Sequence, residues 1–90
     1  MKIRSKLRLI RYAILKELAR ERLGIKIGEL KRTLMLKDIV NSDGAFYANL
    51  RDLIMEEKVK IMEEDEEKVV YITDKGLEEF KETDEYLKKS

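Results

Sequence analysis

The hydrophobic period of this chain changes twice, and those changes limit the folds open to it. Up to about residue 57, apolar side chains recur at helical spacing. From Val59 to Thr73 they alternate, and from Asp74 the helical spacing returns. Val59 and Ile61, then Val69, Tyr71 and Thr73, alternate with Lys60, Met62, Val70 and Ile72 around the acidic stretch 63–68. Two alternating runs flanking a polar stretch predict a β-hairpin over residues 59–73. The stretch contains neither Asn-Gly nor Asp-Gly, so a loose loop is expected at its tip rather than a tight primed turn. A hairpin set between helices makes the chain α+β.

The helical part divides into three. In residues 3–22, Ile3, Leu7, Ile10, Ile14 and Leu18 keep helical spacing, with Ala13 and Leu15 beside them. Leu9 and Tyr12 lie off that stripe and suggest a second apolar contact, such as another subunit. Gly24 is expected to end this helix in the left-handed conformation. Ile25-Lys26-Ile27 alternates and predicts a short strand. A second helix is expected over 28–36, with Leu30, Leu34 and Met35 inward and Lys31, Arg32 and Lys37 outward. A third is expected over 42–57, with Ser42 as N-cap because its hydroxyl can take up an orphan backbone N–H. Its inner stripe is Phe46, Leu50, Leu53 and Glu57, widened by Ile54. Gly44, Ala45, Ala48, Arg51, Asp52 and Met55 fall on the other face, with Tyr47 and Asn49 on the flanks. A last helix over 74–88, capped by Thr73, offers Leu77, Phe80 and Leu87 as its inner face. The order is helix, short strand, helix, helix, hairpin, helix. This is the winged helix-turn-helix order, here expected as one domain spanning 1–90 with a three-helix core, a two-stranded wing and a C-terminal helix.

Charge narrows the function. The 90 residues carry a net charge of only +1. Residues 1–37 hold twelve Lys/Arg against three Glu, a balance of +9, while residues 38–90 hold eight against sixteen Asp/Glu, a balance of −8. Such a split predicts one side that faces a polyanion and another that repels it. With no His and no Cys, the commonest general base and the best nucleophile are missing, and no glycine-rich phosphate loop is present. No enzyme, metal or cofactor is therefore expected. No stretch approaches the ~20 apolar residues that span a bilayer, so a cytoplasmic protein without membrane contact is expected. High Lys and Glu without Gln resembles the composition of heat-adapted proteins.

Three segments carry a family resemblance: residues 27–34 (IGELKRTL), 42–53 (SDGAFYANLRDL) and 69–76 (VVYITDKG). Together they resemble the winged helix-turn-helix regulators of the PadR-like and the archaeal and archaeal-viral types, over roughly residues 5–82. In those families the third helix begins Ser-x-x-Thr-Phe/Leu-Tyr and the hairpin ends Tyr-x-Leu-Thr-x-x-Gly. Three departures from that pattern matter. Lys58 stands where a glycine usually ends the third helix, Ala45 replaces threonine, and the hairpin tip Glu63-Glu64-Asp65-Glu66-Glu67 is acidic where a DNA-touching wing is basic.

The resemblance implies double-stranded DNA as partner and transcriptional regulation as role, with helix 42–57 in the major groove. Ser42, Tyr47, Asn49 and Arg51 are then the base-facing candidates, with Asn49 suited to adenine and Arg51 to guanine. Arg4, Lys6, Arg8, Arg11, Lys31, Arg32 and Lys37 are the phosphate candidates. A homodimer is expected, because helix-turn-helix proteins read two half-sites, with Leu9, Tyr12, Tyr86 and Leu87 as interface candidates. The competing class is a protein-interaction module that uses the acidic wing and C-terminal helix to meet a protein partner.

Overall fold

The computed structural model describes residues 3–89, with side chains from Leu9 onward. The elements are α1 (Ile3–Arg20), β1 (Ile25–Lys26), α2 (Ile27–Leu36), α3 (Asp43–Met55), β2 (Val59–Glu64), β3 (Glu67–Ile72) and α4 (Asp74–Lys89). The strands form one antiparallel sheet in the order β1-β3-β2. Ile25 pairs with Val70 and Val59 with Ile72, so the short strand sits on the outer edge of β3.

The core follows from the apolar stripes. Ile10, Ile14, Leu15 and Leu18 of α1 meet Leu30 and Leu34 of α2, Phe46, Leu50 and Leu53 of α3, and Val59, Val70 and Ile72 of the sheet. Each fully buried aliphatic or aromatic side chain contributes roughly 1.5–3 kcal/mol against exposure. Helix α4 lies outside this cluster and packs onto it through the partly buried Leu77 and Phe80. Leu87, expected on the inner face of α4, is 48% exposed, and Met35 of α2 also reaches the surface.

Helix ends are set by left-handed residues that are not glycine. At the end of α2, Asp38 has φ 59°. Its N–H donates to the Met35 carbonyl and the Ile39 N–H to that of Leu34. At the end of α3, Glu57 has φ 61°, its N–H donates to Ile54 and the Lys58 N–H to Leu53 at 2.8 Å. Both closures satisfy orphan carbonyls in the manner of a Schellman motif. Glu57, expected on the inner stripe of α3, is therefore an exposed residue beyond the helix. The left-handed position lies one residue before Lys58, so Lys58 needs no glycine. Gly24 does have φ 96°, but it follows a turn after α1 rather than capping it directly, since α1 ends at Arg20.

The hairpin tip corrects the expected loose loop. β2 runs to Glu64 and β3 starts at Glu67, leaving only Asp65 and Glu66, with φ 50° and 66°. Two positive φ values in a two-residue connection are the backbone of a primed turn, which matches the right-handed twist of its strands. The turn forms without glycine because the register on both sides fixes it, from Glu64 opposite Glu67 back to Val59 opposite Ile72.

One glycine is required by close approach. A Cβ on Gly76, in the first turn of α4, would lie 2.0 Å from the Lys58 carbonyl oxygen. That carbonyl already accepts from the Thr73 N–H at 3.0 Å. Thr73 adds two side-chain bonds, its hydroxyl donating to the Glu57 carbonyl at 2.6 Å and accepting from the Gly76 N–H at 3.1 Å. The end of α3, the end of β3 and the start of α4 are thereby tied at one point.

Candidate nucleic-acid interface

Helix α3 is presented by its N-cap. Ser42 is extended, with φ −153° and ψ 150°, and its Oγ accepts from the Ala45 N–H at 3.2 Å. With Phe46, Leu50 and Leu53 buried, Gly44, Tyr47, Ala48, Arg51, Asp52 and Met55 are exposed. Ala45 is half-buried against the core.

Asn49 does not belong to that face. It is 6% exposed, and its Nδ2 donates to the Ala45 carbonyl at 2.8 Å. Three residues after Phe46 and four before Leu53, it sits inside the apolar stripe, and a buried amide must bond to its own backbone. The expectation that Asn49 faces a base is corrected: its side chain is buried in the apolar stripe and bonded to its own helix.

Arg11 is corrected as well. On α1 it faces α4 and the end of α3, not solvent. Its Nε and Nη2 donate to Glu79 at 2.6 and 2.7 Å, and its Nη1 and Nη2 to Glu56 at 2.8 and 2.7 Å. Lys58 joins through Glu79 at 3.0 Å. Hydrogen bonds from Arg11 hold the Glu79 carboxyl down at about 2, and lower that of Glu56 too. The same bonds raise the Arg11 guanidinium above its ordinary value. Four of the five guanidinium N–H donors are thereby committed to carboxylates of the chain itself rather than offered to a phosphate.

The other cations are divided. Lys31 Nζ lies 3.3 Å from Asp43 and 5.4 Å from the Tyr47 ring centroid, at the start of α3. Lys37 pairs with Glu17 of α1 at 2.8 Å. Arg32 and Arg51 are exposed, and neither makes an ion pair within 4 Å to the described residues. The side chains of Arg4, Lys6 and Arg8 lie outside the described residues.

Two depressions flank this face, and both include cations that were not among the phosphate candidates. One, of about 300 Å³, lies between α3 and the hairpin, where Tyr47, Arg51, Ile54, Ile61 and Lys68 line it. The other lies over the start of α2, lined by Lys26, Glu29, Arg32, Glu67 and Lys68. Lys68 belongs to both. It is hidden in the acidic run, and the strand register, which pairs Val59 with Ile72 and Ile61 with Val70 rather than grouping Val59 and Ile61 with Val69 and Tyr71, sets exposed Lys68 on the sheet face of Val70 and Ile72. Lys26 is held by Glu67 across the sheet edge at 2.8 Å, which raises its pKa.

Along α1 and α4, the dimer candidates separate. Tyr12 is engaged within the chain: its ring stacks on Phe80 at 5.8 Å and its hydroxyl donates to Asp84 at 2.8 Å. That bond lowers the Asp84 pKa, while burial first and the bond second raise that of Tyr12. Leu9, Tyr86 and Leu87 are 47%, 72% and 48% exposed. Among the described residues, no helix is long and apolar enough to cross a membrane, and no group of three or more Asp or Glu is placed to hold a metal ion.

A helix pair leading into an exposed third helix, closed by a three-stranded antiparallel sheet and a fourth helix, defines the winged-helix class. Solved structures agree. The chain is similar to F93 from STIV, a winged-helix DNA-binding protein, with 33% identity over 86% of this chain and 85% of that one, at a TM-score of 0.74. It is similar to SSV1 F-93 with 28% identity over 88% and 90%, at 0.65. A PadR-like transcription factor from Bacteroides fragilis shares the fold at a TM-score of 0.79, with 18% identity over 96% and 86%. Neither a protein-family model nor a curated protein matches the sequence. The chain belongs to the winged-helix family represented by F93.

Proposed function

We propose that the chain binds double-stranded DNA as a transcriptional regulator, with α3 as recognition helix in the major groove and the β2–β3 hairpin as wing. The observation that carries this reading is the exposed face of α3. Small residues, Tyr47 and Arg51 project there, beside two depressions that hold Arg32, Lys26 and Lys68. The F93 likeness supports it, since that protein is described as DNA-binding.

Ser42, Tyr47 and Arg51 are the base-facing residues on this reading. Arg51 has the fork geometry for guanine, at about 1–3 kcal/mol of discrimination. Lys26, Lys31, Arg32, Lys37 and Lys68 supply phosphate contacts, and Arg4, Lys6 and Arg8 are further phosphate candidates whose side chains lie outside the described residues. If roughly six phosphates are met, affinity falls by about three orders of magnitude between low and near-physiological salt. A homodimer through the exposed Leu9, Tyr86 and Leu87 would set two α3 helices on successive half-sites.

The test is fluorescence anisotropy of a labelled random duplex at low and near-physiological salt, with Arg32→Glu alongside. Salt-steep binding lost in the variant is expected. No binding at low salt would sink the reading. A second reading, a protein contact at the hairpin tip, is favoured by one observation: all five carboxylate residues from Glu63 to Glu67 are exposed. It predicts a protein complex that Glu66→Lys weakens while DNA has no affinity.

A further inference from the structure

The cations on the proposed DNA face are not bare. Lys26 is held by Glu67 at 2.8 Å, Lys31 by Asp43 at 3.3 Å and Lys37 by Glu17 at 2.8 Å. These carboxylates come from three other elements, β3, α3 and α1, so the pairing is tertiary and belongs to the folded surface. Each acid stands where an anionic ligand of the lysine would stand. Asp43 does so at the first residue of α3, beside the cation that also rests on Tyr47. Glu67 does so within the depression that Arg32 lines.

We propose that Glu67, Asp43 and Glu17 act as built-in competitors for DNA phosphate, so that DNA binding proceeds by exchange of carboxylate for phosphodiester at Lys26, Lys31 and Lys37. This rests on the DNA-binding reading and adds a regulation to it. The pairs are suited to exchange. Each is a single-point contact with at least one partner substantially exposed, and side-chain exposure at Lys26 and Glu67 is 52% and 53%. Exposed pairs of this kind shift an equilibrium by only about two- to fivefold. They mute the attraction to any phosphate backbone without preventing a well-fitted one from displacing them. Arg32 and Arg51, which make no ion pair to the described residues, give first capture. The consequence is a face whose affinity for any duplex is held down by the carboxylates that phosphate must displace.

The deciding experiment is a double-mutant cycle read by anisotropy on a random duplex at low salt. Glu67→Gln is expected to tighten binding about two- to fivefold. In a Lys26→Met background, the same substitution is expected to have less than half that effect, because the competitor's target is gone. Glu66→Gln makes the same charge change one residue away, at a carboxylate with no ion pair to the described residues, and is expected to tighten binding far less. Asp43→Asn repeats the test at the other end of the face. Equal tightening by Glu66→Gln and Glu67→Gln, or an unchanged effect without Lys26, would overturn the exchange and leave DNA binding standing as a plain field effect. Unchanged affinity in both Glu67→Gln and Asp43→Asn, while wild type binds, also overturns it. Failure of every variant and of wild type to bind would overturn the DNA-binding reading itself.

Discussion

Two sides of this molecule use the same residue types in opposite ways. On the seam of α1 and α4, Arg11 is gripped by two carboxylates and is only 21% exposed. On the face of α2, α3 and the hairpin, Arg32 and Arg51 stand in solvent, while the lysines make single contacts. The difference lies in how many elements close around the cation. Arg11 is met by Glu56 at the end of α3 and Glu79 on α4, so its planar fork is matched on two edges and fixed. A cation held at one point in water is worth little and remains exchangeable. A basic N-terminal half is therefore not a basic face: some of its charge builds the protein, and the rest is left to bind.

The comparison breaks most violently at the seam. Gly76→Ala places a methyl 2.0 Å from the Lys58 carbonyl, which must move with the chain that joins α3 to β2. A loss of about 3 kcal/mol is expected in urea unfolding. Arg11→Leu removes both forks and leaves Glu56 and Glu79 facing each other. It should cost about 2 kcal/mol by the same measurement, while DNA affinity of the folded protein changes less than twofold. A phosphate-binding Arg11 would show the reverse.

Acid sharpens the same contrast. The Glu79 carboxyl titrates at about 2 in the folded chain, against an ordinary 4.5, chiefly because Arg11 bonds to it. A depressed carboxylate contributes stability that is fully present above its unfolded value and is lost as pH falls toward its folded one. Stability should therefore decline between about pH 4.5 and 2, and Glu79→Gln should be less stable at neutral pH but flatter across that window. Parallel pH profiles for the two proteins, followed by thermal unfolding, would remove Arg11–Glu79 from the account of the seam.

How much of this was legible follows from the range of each interaction. The two changes of period gave the element order, and Ser42 and Thr73 marked their caps, because these are signals between near neighbours. The primed turn at Asp65-Glu66 was not legible, since Asp tolerates positive φ but Glu rarely adopts it, and the strand register imposes it. The partners of Arg11 lie 45 and 68 residues away, beyond any periodicity argument. Gly76 carried a family motif whose reason, a carbonyl at van der Waals overlap, exists only in three dimensions. Asn49 is different: its place within the apolar stripe was readable from its spacing to Phe46 and Leu53, and its side-chain chemistry distracted from it.

Asn49 and Arg51 therefore make the finest test, because they are two residues apart on one helix and fall on opposite sides of the divide. Asn49→Ala removes a buried bond to the Ala45 carbonyl and should cost about 1 kcal/mol of stability with no change in base preference. Arg51→Ala touches an exposed side chain, so stability should stay within about 0.5 kcal/mol. Its effect should appear in DNA binding instead, and the form of that effect identifies the contact. If Arg51 meets a phosphate, all duplexes weaken alike and the salt slope falls by about one. If it meets a base, one position of a selected site loses about 1–3 kcal/mol of discrimination while random duplex is little affected. Selection of bound duplexes from a random pool, followed by titration at two salt concentrations, separates the two. A stability loss at Arg51 equal to that at Asn49, with DNA binding untouched, would place Arg51 with Arg11 among the residues that build the fold.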